Sequence, residues 1–261
     1  MNEQVVKVSQ IADGVIQIQI NRPQAMNALN TQVLVGIADA LNSAASDSTV
    51  RSVLLTGNAR AFAAGADINE LKQIPTGDYP EQERQSAWKT MRNFPKPIIA
   101  AVSGFALGGG CELMMIADIV IASRQTKLGL PEVNLGIIPG AGGTQRLTRL
   151  VGKPAAMKLA LTGEFINADQ ALQLGLISEV SEPELYLERA IALAKKIAGK
   201  STTAVQAIKL SVLNAYELNL EQAMAEERRL FLLAANSADA TEGINAFQEK
   251  RKASFPSNQS N

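Results

Sequence analysis

Histidine is absent from this chain of 261 residues, and it contains a single cysteine. Without histidine there is no Ser-His-Asp triad, no Cys-His pair and no histidine-based metal site. Proton transfer must then rely on carboxylates, lysines, tyrosines or the one thiol. A single cysteine also excludes an intrachain disulfide and a thiolate cluster for zinc or iron-sulfur. These absences move the glutamates up the list of candidate catalytic residues.

The chain also lacks an excess of charge and a long apolar run. Lys plus Arg equals Asp plus Glu at 25 each, and aromatic residues make up 4% of the chain. Neither nucleic acid nor an anionic membrane is favoured as a partner, and an RNA-binding or scaffold role has little support. The longest nearly apolar stretch, LMMIADIVIA, is too short to span a bilayer, and the start, MNEQVVKVSQ, lacks the features of a secretory signal. We therefore expect a soluble, cytoplasmic protein.

The sequence contains both strand patterns and helix patterns, and their alternation predicts an α/β fold. Ile16, Ile18 and Ile20 alternate with two glutamines, which is the period of a strand with one wet face. TQVLVGIADALNSA has helical spacing, whereas VRSVLLTG, PIIAAVSG and IVIAS are typical of buried strands. A chain that is 46% hydrophobic has enough material for one large domain or one domain with a small appendage.

Beyond about Pro183 the strand signal ends and three long amphipathic helices follow, PELYLERAIALAKKIAG, TTAVQAIKLSVLNAYE and LEQAMAEERRLFLLAA. We predict a core over residues 1–195 and a C-terminal helical region over 196–261, which packs on the core or on another subunit. Earlier in the chain, QIPTGDYPEQERQSAWKT is polar and runs into a helix. It is interpreted either as a lid or as a solvated surface segment.

The stretch GGGCELMMIA places Glu112 at the head of an apolar run, directly after Gly108, Gly109 and Gly110. The first amides of a helix have no intrahelical acceptor, so a glycine turn into a helix is a candidate oxyanion site. The glycines alternatively serve only close packing of helix on sheet. A carboxylate among apolar residues loses hydration, which raises its pKa. Glu112 is therefore a candidate acid or base, with a helix-capping glutamate as the alternative.

Two further stretches carry similar features. In KLGLPEVNLGIIPGAGGTQRL, Glu132 follows a proline that fixes the local backbone, so the direction of its side chain is specified. Two poorly hydrated glutamates in different surroundings suit one base and one acid. In NARAFAAGADINE, Gly65, Ala66 and Asp67 form a strand-to-helix turn that exposes amides. Asp67 is interpreted as the residue that caps this turn, with catalysis as the alternative.

Other glycine motifs do not fit. GFALGGG and PGAGGTQ do not match the dinucleotide pattern, there is no P-loop, and Ser103 lacks the flanking glycine of a nucleophile elbow. Dinucleotide, nucleotide and serine-hydrolase functions therefore have weak support.

The chain resembles the enoyl-CoA hydratase/isomerase family, also called the crotonase family, from about residue 5 to about residue 255. The resemblance is carried by AFAAGAD, PIIAAVSGFALGGGCELMMIADIVIAS, GLPEVNLGIIPGAGGTQRL and EGINAFQEKRKASF. It implies an α/β fold made of a spiral of ββα units, with a C-terminal α-helical region used for trimer formation. A homotrimer or a homohexamer built as a dimer of trimers is the expected assembly.

The resemblance also implies roles for single residues. The amides of Ala66 and Gly109 match the pair that holds the thioester oxygen of an acyl-CoA, a contribution of about 10²–10³ in rate for each donor in such sites. Glu112 and Glu132 match the two glutamates that flank the water in hydratases, and the amide of Gly140 matches a position that helps to hold that water. Retention of both glutamates favours hydration of a trans-2-enoyl-CoA, with Glu132 favoured as the proton donor to C2. A Δ3-Δ2-enoyl-CoA isomerase is the alternative.

Contacts with the coenzyme A substrate are likewise implied by resemblance, at Ala25, Ala28, Ala64, Asp67, Ile68, Phe247 and Lys250. For Lys250 an ordinary solvated lysine is an equal alternative. Coenzyme A belongs to the substrate, so no metal or separate cofactor is expected. TGNARAFAAGADINE and KLGLPEVNLGIIPGAGGTQRL are most similar to the branch of the family that hydrates 2,3-dehydroadipyl-CoA in phenylacetate breakdown. A short-chain β-oxidation hydratase is the alternative.

Overall fold

The chain forms two β-sheets surrounded by helices, as described for residues 4–259 in a computed structural model. Residues 1–3 of the predicted core and residues 260–261 of the predicted helical region lie outside this range. The six-stranded sheet has the order β1-β2-β3-β5-β7-β10, and the four-stranded sheet has the order β4-β6-β8-β9. The strands are β1 (Val6–Ala12), β2 (Val15–Ile20), β3 (Ser52–Thr56), β4 (Ala61–Ala63), β5 (Ile98–Val102), β6 (Phe105–Leu107), β7 (Ile119–Ser123), β8 (Lys127–Gly129), β9 (Ile166–Asn167) and β10 (Glu179–Ser181).

From β3 to β8, successive strands alternate between the two sheets. In the middle of the chain β3, β5 and β7 join the larger sheet, and β4, β6 and β8, which directly follow them, join the smaller one. Neighbours within each of these sets are parallel. Each turn of the chain therefore adds one strand to each sheet. This arrangement confirms the predicted α/β spiral of ββα units.

The larger sheet is buried on both faces in its middle. Every residue of β3 and β5 is buried, as expected for parallel strands covered on two sides. One face packs on a main core, and the other packs on Tyr186, Ala190 and Ala194 of the helix Tyr186–Ala198. In β2, Ile18 and Ile20 are buried, whereas Gln17 and Gln19 are half-buried, as the alternation predicts. Ile16, the third isoleucine of the pattern, is half-buried like the glutamines.

The helices follow the apolar periodicity of the sequence. In the first of them, Asn30 caps the start by accepting a hydrogen bond from the amide of Val33 at 3.0 Å, and the apolar stripe faces the core. The helices are α1 (Thr31–Ser46), α2 (Ile68–Leu71), α3 (Glu81–Arg92), α4 (Gly109–Met114), α5 (Gly143–Thr162), α6 (Ala168–Gln173), α7 (Tyr186–Ala198), α8 (Thr202–Glu217), α9 (Leu220–Ala235) and α10 (Ala238–Gln248). A kink at Gly152 interrupts α5.

The three predicted C-terminal helices are confirmed as α7, α8 and α9. The predicted boundary between residues 195 and 196 lies inside α7, and this helix packs on the larger sheet with the core. In the described part of the chain, no helix is both long enough and apolar enough to cross a membrane.

Candidate active site

The three consecutive glycines have three different surroundings at the start of α4. Gly108 has a φ of +50°, and a methyl group on its Cα would lie 2.9 Å from Glu132 Oε1. A methyl group on Gly110 would lie 2.0 Å from the carbonyl oxygen of Ala63, which is closer than two non-bonded atoms can approach. Gly110 therefore serves close packing, one of the two alternatives for this stretch. Gly108 leaves room for a carboxylate.

Two backbone amides converge beside Gly109. A methyl group on Gly109 would lie 3.5 Å from the amide nitrogen of Ala66, although the two residues belong to different turns of the spiral. Within residues 4–259, neither the Ala66 amide nor the Gly109 amide has a hydrogen-bond acceptor. The structure thus brings together the two amides that the family resemblance implies as an oxyanion hole. Both are available as donors to a carbonyl oxygen.

Glu112 is buried, with 3% of its surface exposed, and its position is set by the glycine-rich turn before α5. Its Oε1 accepts hydrogen bonds from the amides of Ala141 and Gly143, both at 2.7 Å. Burial raises the pKa of Glu112, and these two bonds oppose that rise because they favour the charged form. Oε1 is thereby held by the protein. The other oxygen, Oε2, faces Gly109, where a methyl group would lie 3.9 Å away.

Glu132 lies in a 3-10 turn, Pro131–Leu135, and is also buried. Its Oε2 is buried and has no hydrogen-bond partner in the described part of the chain. The pKa of Glu132 is raised to about 7, chiefly by burial; a hydrogen bond from its own amide opposes the rise, and the negative charge of Glu112 adds to it. An unpaired buried carboxyl oxygen costs free energy, which is commonly tolerated where the group serves chemistry.

The structure therefore places the two glutamates at consecutive glycines, with Glu132 against Gly108 and Glu112 against Gly109. They are twenty positions apart in the chain, and sequence spacing could not show that they meet. Their surroundings differ, because Glu112 has two amide donors on one oxygen and Glu132 has a free oxygen. Burial raises the pKa of both carboxyl groups, but two amide hydrogen bonds oppose the rise in the pKa of Glu112, whereas the pKa of Glu132 reaches about 7. Two carboxyl groups in such different surroundings suit an acid and base pair.

Gly140 precedes the two amides that hold Glu112. It is exposed, and within residues 4–259 its amide has no acceptor. The neighbouring donors to Glu112 are Ala141 and Gly143, which no motif in the sequence indicates. The role of Gly140 in holding a water stays a prediction.

Asp67 caps α2 and is engaged within the protein. Its Oδ1 accepts a hydrogen bond from the amide of Asn69 at 3.0 Å, which is the capping role favoured from the sequence. Its Oδ2 lies 2.9 Å from Nη2 of Arg22. Both carboxylate oxygens thus have partners inside the chain, so a contact between Asp67 and coenzyme A would compete with them.

Three of the predicted substrate contacts lie together. Ala25 and Ala28 belong to a loop in which Met26 and Asn27 have left-handed backbone conformations, with φ of 50° and 57°. The amide of Ala64 donates to the carbonyl of Met26 at 3.1 Å, which fastens this loop to the strand-to-helix turn before Ala66. The loop and the oxyanion amide are therefore adjacent.

The remaining predicted contacts are more distributed. Ile68 opens α2 and is half exposed, whereas Phe247 lies on α10 with 85% of its surface exposed. Lys250 follows α10 in a left-handed conformation. Within the described residues, no hydrogen bond or ion pair joins Phe247 or Lys250 to the glutamates. Their contact with the nucleotide end of the substrate stays a prediction.

The polar segment between α2 and α3 is closed at its base by an ion pair. Nη1 of Arg84 lies 2.6 Å from Oε2 of Glu70, and Glu70 also accepts hydrogen bonds from Thr31. The Arg84 guanidinium stacks 5.2 Å from the centre of the Tyr79 ring. The two ends of the segment are thus fixed beside α1.

Cys111, the single cysteine, is buried directly before Glu112. Burial raises the pKa of its thiol to about 12, so the thiolate that a nucleophile requires is scarcely populated at neutral pH. Among the candidates for proton transfer beside the Ala66 and Gly109 amides, the glutamates remain.

Comparison with known proteins gives a consistent result. The family model described as enoyl-CoA hydratase/isomerase matches residues 10–258. The chain is 46% identical to the 2,3-dehydroadipyl-CoA hydratase of Escherichia coli, over 98% of this chain and 99% of that protein. It is 44% identical to the mitochondrial enoyl-CoA hydratase of Pongo abelii, over 91% of this chain and 82% of that protein. Among solved structures, the enoyl-CoA hydratase of Bacillus anthracis has a TM-score of 0.90 at 35% identity and covers 98% of this chain and 100% of that chain.

Proposed function

Because the chain belongs to the enoyl-CoA hydratase/isomerase family, we propose that Glu112 and Glu132 carry the addition of water to a trans-2-enoyl-CoA. Hydration of an enoyl-CoA makes the protein a hydro-lyase, and the product is a 3-hydroxyacyl-CoA. The observation that supports these residue roles most strongly is the difference between the two buried carboxylates. Glu112 is held by two amides, and Glu132 keeps an unpaired oxygen.

The thioester oxygen binds between the amides of Ala66 and Gly109. As water adds to C3, negative charge moves onto that oxygen, and donors aimed at it lower the barrier. Amides fixed by the fold need no reorganisation during the reaction, which makes such donors effective.

The two glutamates divide the proton transfers. Glu112, whose charged form is favoured by two amide hydrogen bonds, accepts a proton from the water as its oxygen attacks C3. Glu132, with a pKa near 7, donates its proton to C2 as the enolate collapses. Both groups act from the same face, so the addition is syn. Return of a proton from Glu112 to Glu132 through exchange with solvent restores the starting state, and the pair titrates as a coupled unit.

The preferred substrate in this proposal is 2,3-dehydroadipyl-CoA. Its support is the 46% identity to the Escherichia coli enzyme over almost the whole of both chains. The identity to the mitochondrial enzyme is only slightly lower, so a short-chain substrate of β-oxidation is the second candidate.

Loss of the conjugated enoyl-thioester absorbance tests both the hydration reaction and the substrate assignment. The panel contains crotonyl-CoA, longer trans-2-enoyl-CoAs and 2,3-dehydroadipyl-CoA. A kcat/KM that is at least about 10-fold higher for the dicarboxylic substrate, about 1.4 kcal/mol of discrimination, supports the substrate assignment. Equal or faster hydration of crotonyl-CoA would replace it with the short-chain assignment.

A 3-enoyl-CoA in the same panel tests the isomerase alternative. Its conversion to the conjugated 2-enoyl-CoA would appear as a gain in absorbance. An isomerase requires one well-placed base and tolerates loss of one glutamate. Gain of absorbance without hydration of any 2-enoyl-CoA would overturn the proposed hydration mechanism.

We further infer that the protein assembles with copies of itself as a homotrimer or a dimer of trimers. The support is the apolar surface of α8 and α9, where Ile208, Leu220 and Phe231 are each more than half exposed. An exposed apolar area of this kind is typical of an interface. Sedimentation or light scattering at several protein concentrations measures the mass directly.

A further inference from the structure

Arg22 is a half-buried charged residue next to the proposed oxyanion hole, and the hydration mechanism above does not use it. Its side chain is 17% exposed, and that of its ion-pair partner Asp67 is 13% exposed. Two nitrogens of the guanidinium are engaged at the same time. Nη1 donates to the carbonyl oxygen of Ala28 at 2.6 Å, and Nη2 donates to Oδ2 of Asp67 at 2.9 Å.

These two contacts lie on either side of the Ala66 amide. Leu29, which follows Ala28, donates its amide to the carbonyl of Gly65 at 2.8 Å. The amide of Asp67 donates to the carbonyl of Leu29 at 3.2 Å. Ala66 is therefore bracketed by two hydrogen bonds to a single residue, in a parallel bridge. Its own amide is not used by this bridge and remains available.

The Arg22 side chain links the two segments that form this bridge. It connects the residue before Leu29 to the residue after Ala66, and so holds the two segments at the spacing at which the Leu29 amide reaches the carbonyl of Gly65. That hydrogen bond fixes the Gly65–Ala66 peptide, whose N–H is the Ala66 amide. A planar guanidinium with two donors holds this spacing better than a single point charge does.

The position of Arg22 is itself fixed. Its amide donates to Oδ1 of Asn27 at 2.9 Å. Asn27 is fully buried in a left-handed conformation, and its Nδ2 donates to the carbonyl of Ala61 at 2.8 Å. Ala61 begins β4, the strand that leads into the turn containing Ala66. The loop is thus anchored at both of its ends to the segment that it orients.

We propose that Arg22, acting through Asp67 and Ala28, is a positioning residue that sets the direction of the Ala66 amide toward the thioester oxygen. The inference rests on the proposed function, since it concerns an amide placed in the oxyanion hole. An ion pair that only stabilised the loop would leave polarisation of the bound carbonyl unchanged.

The test reads polarisation directly. A 3-arylacryloyl-CoA with a dimethylamino donor on its ring absorbs at longer wavelength when its thioester carbonyl is polarised. The position of this band at saturating protein reports the bound complex alone, so partial unfolding of a variant does not move it. kcat and KM for crotonyl-CoA are measured on the same samples.

We expect Arg22→Met to lower kcat by about 10- to 100-fold, as small misplacements of catalytic groups do, with little change in KM. The red shift of the bound analogue should shrink in parallel. Arg22→Lys keeps the charge but cannot reach both partners, and it should fall between Arg22→Met and the wild type. Asp67→Asn retains the cap on α2 and weakens the ion pair, so it should show a smaller loss with the same spectral change.

Asp118→Asn is the matched control. Asp118 pairs with Lys209 at 2.8 Å, and their side chains are similarly buried at 21% and 11% exposure. This variant should lower the melting temperature without moving the band of the bound analogue.

The outcomes distinguish failure of the proposed function from failure of the positioning role of Arg22. Absence of a red shift in the wild type would overturn the oxyanion hole and with it the proposed function. A wild-type red shift retained in full by Arg22→Met and Asp67→Asn would overturn the positioning role alone.

Discussion

The spiral core and the helices α8 and α9 use apolar residues in opposite ways. In the core, β3 and β5 are buried at every residue. In α8 no residue is buried, and in α9 Leu230 alone is buried, within the described chain. The composition is apolar in both regions, but only the core finds enough partners inside one chain. Apolar faces that remain uncovered need another surface, and a second copy of the chain is the one proposed above.

Polar contacts attach α8 to the core where apolar ones are few. Nζ of Lys209 donates to the carbonyl of Lys96 at 2.9 Å and to Oδ2 of Asp118 at 2.8 Å. It also lies 5.7 Å from the centre of the Phe94 ring. The direction of α8 is thus set by the core, while its outer face stays open. Chemistry and assembly are therefore expected to respond to different substitutions.

The largest expected effect is on chemistry in the core. Glu112→Gln should lower kcat/KM for hydration by roughly 10²–10⁴-fold, the usual contribution of a general acid or base. The mass of the Glu112→Gln variant in solution should equal that of the wild type, because Glu112 is buried in the core and is not part of α8 or α9. Glu184→Gln, at an exposed glutamate, is the control and should retain wild-type turnover. Turnover that survives in both Glu112→Gln and Glu132→Gln would contradict the two-glutamate mechanism.

The next effect is on assembly. Ile208→Glu combined with Leu220→Glu places two carboxylates on the exposed apolar face of α8 and α9. Burial of an unpaired charge costs several kcal/mol, so self-association should weaken by at least about 100-fold. Sedimentation velocity should show a shift toward the monomer. Val8→Glu, at an exposed apolar residue on β1, should leave the mass unchanged. A wild-type protein that sediments as a monomer would show that the helical face is not a self-association surface.

A third effect is on the pH dependence of stability. Because the folded-state pKa of Glu132 is raised from 4.5 to about 7, its contribution to stability is complete below pH 4.5 and is lost as pH rises through about 7. Glu132→Gln removes this loss. Relative to the wild type, its free energy of unfolding should rise by roughly 2–3 kcal/mol between about pH 5 and about pH 8. Urea unfolding of both proteins at the two pH values measures this change. If the difference in free energy of unfolding between variant and wild type is the same at both pH values, Glu132 ionises as an ordinary surface carboxylate.

The smallest expected effect concerns the N-terminal caps of two helices, whose capping hydrogen bonds have the same length. Asn30 accepts from Val33 in the core helix α1, and Asn219 accepts from Gln222 in α9, both at 3.0 Å. Either change to alanine should cost about 0.5–2 kcal/mol locally. We expect Asn30→Ala to lower the melting temperature of the whole molecule, whereas Asn219→Ala should mainly speed amide exchange in α9. Equal global destabilisation by both variants would show that α9 unfolds together with the core.

Sequence periodicity predicted the long elements well. The stripe of α1, the alternation in β2 and the helices α7 to α9 repeat over many residues, so local pattern was sufficient. The strands β4, β6 and β8 contain three residues each, too few to show a period. They were found through their pairing in the smaller sheet, which is a long-range property.

The candidate site was predicted in part, and the missed residues share a cause. Ala141 and Gly143 act through backbone amides, so their side chains carry no signal of the contact with Glu112. The glycine cluster before α5 was the available hint, because Gly142 adopts a φ of +105° there. Arg22 stands in a loop without periodicity, and its partner Asp67 lies 45 positions away.

The sequence by itself determined which groups could serve: no histidine, one thiol that cannot pair within the chain, and two glutamates in apolar surroundings beside glycine turns. Only the tertiary structure decided how they are used. It brought Glu112 and Glu132 to neighbouring glycines, directed two amides onto Oε1 of Glu112, and left Oε2 of Glu132 unpaired. Burial and the direction of an amide arise where distant turns of the chain cross. The protonation state of a carboxylate depends on both, and neither is a property of local sequence.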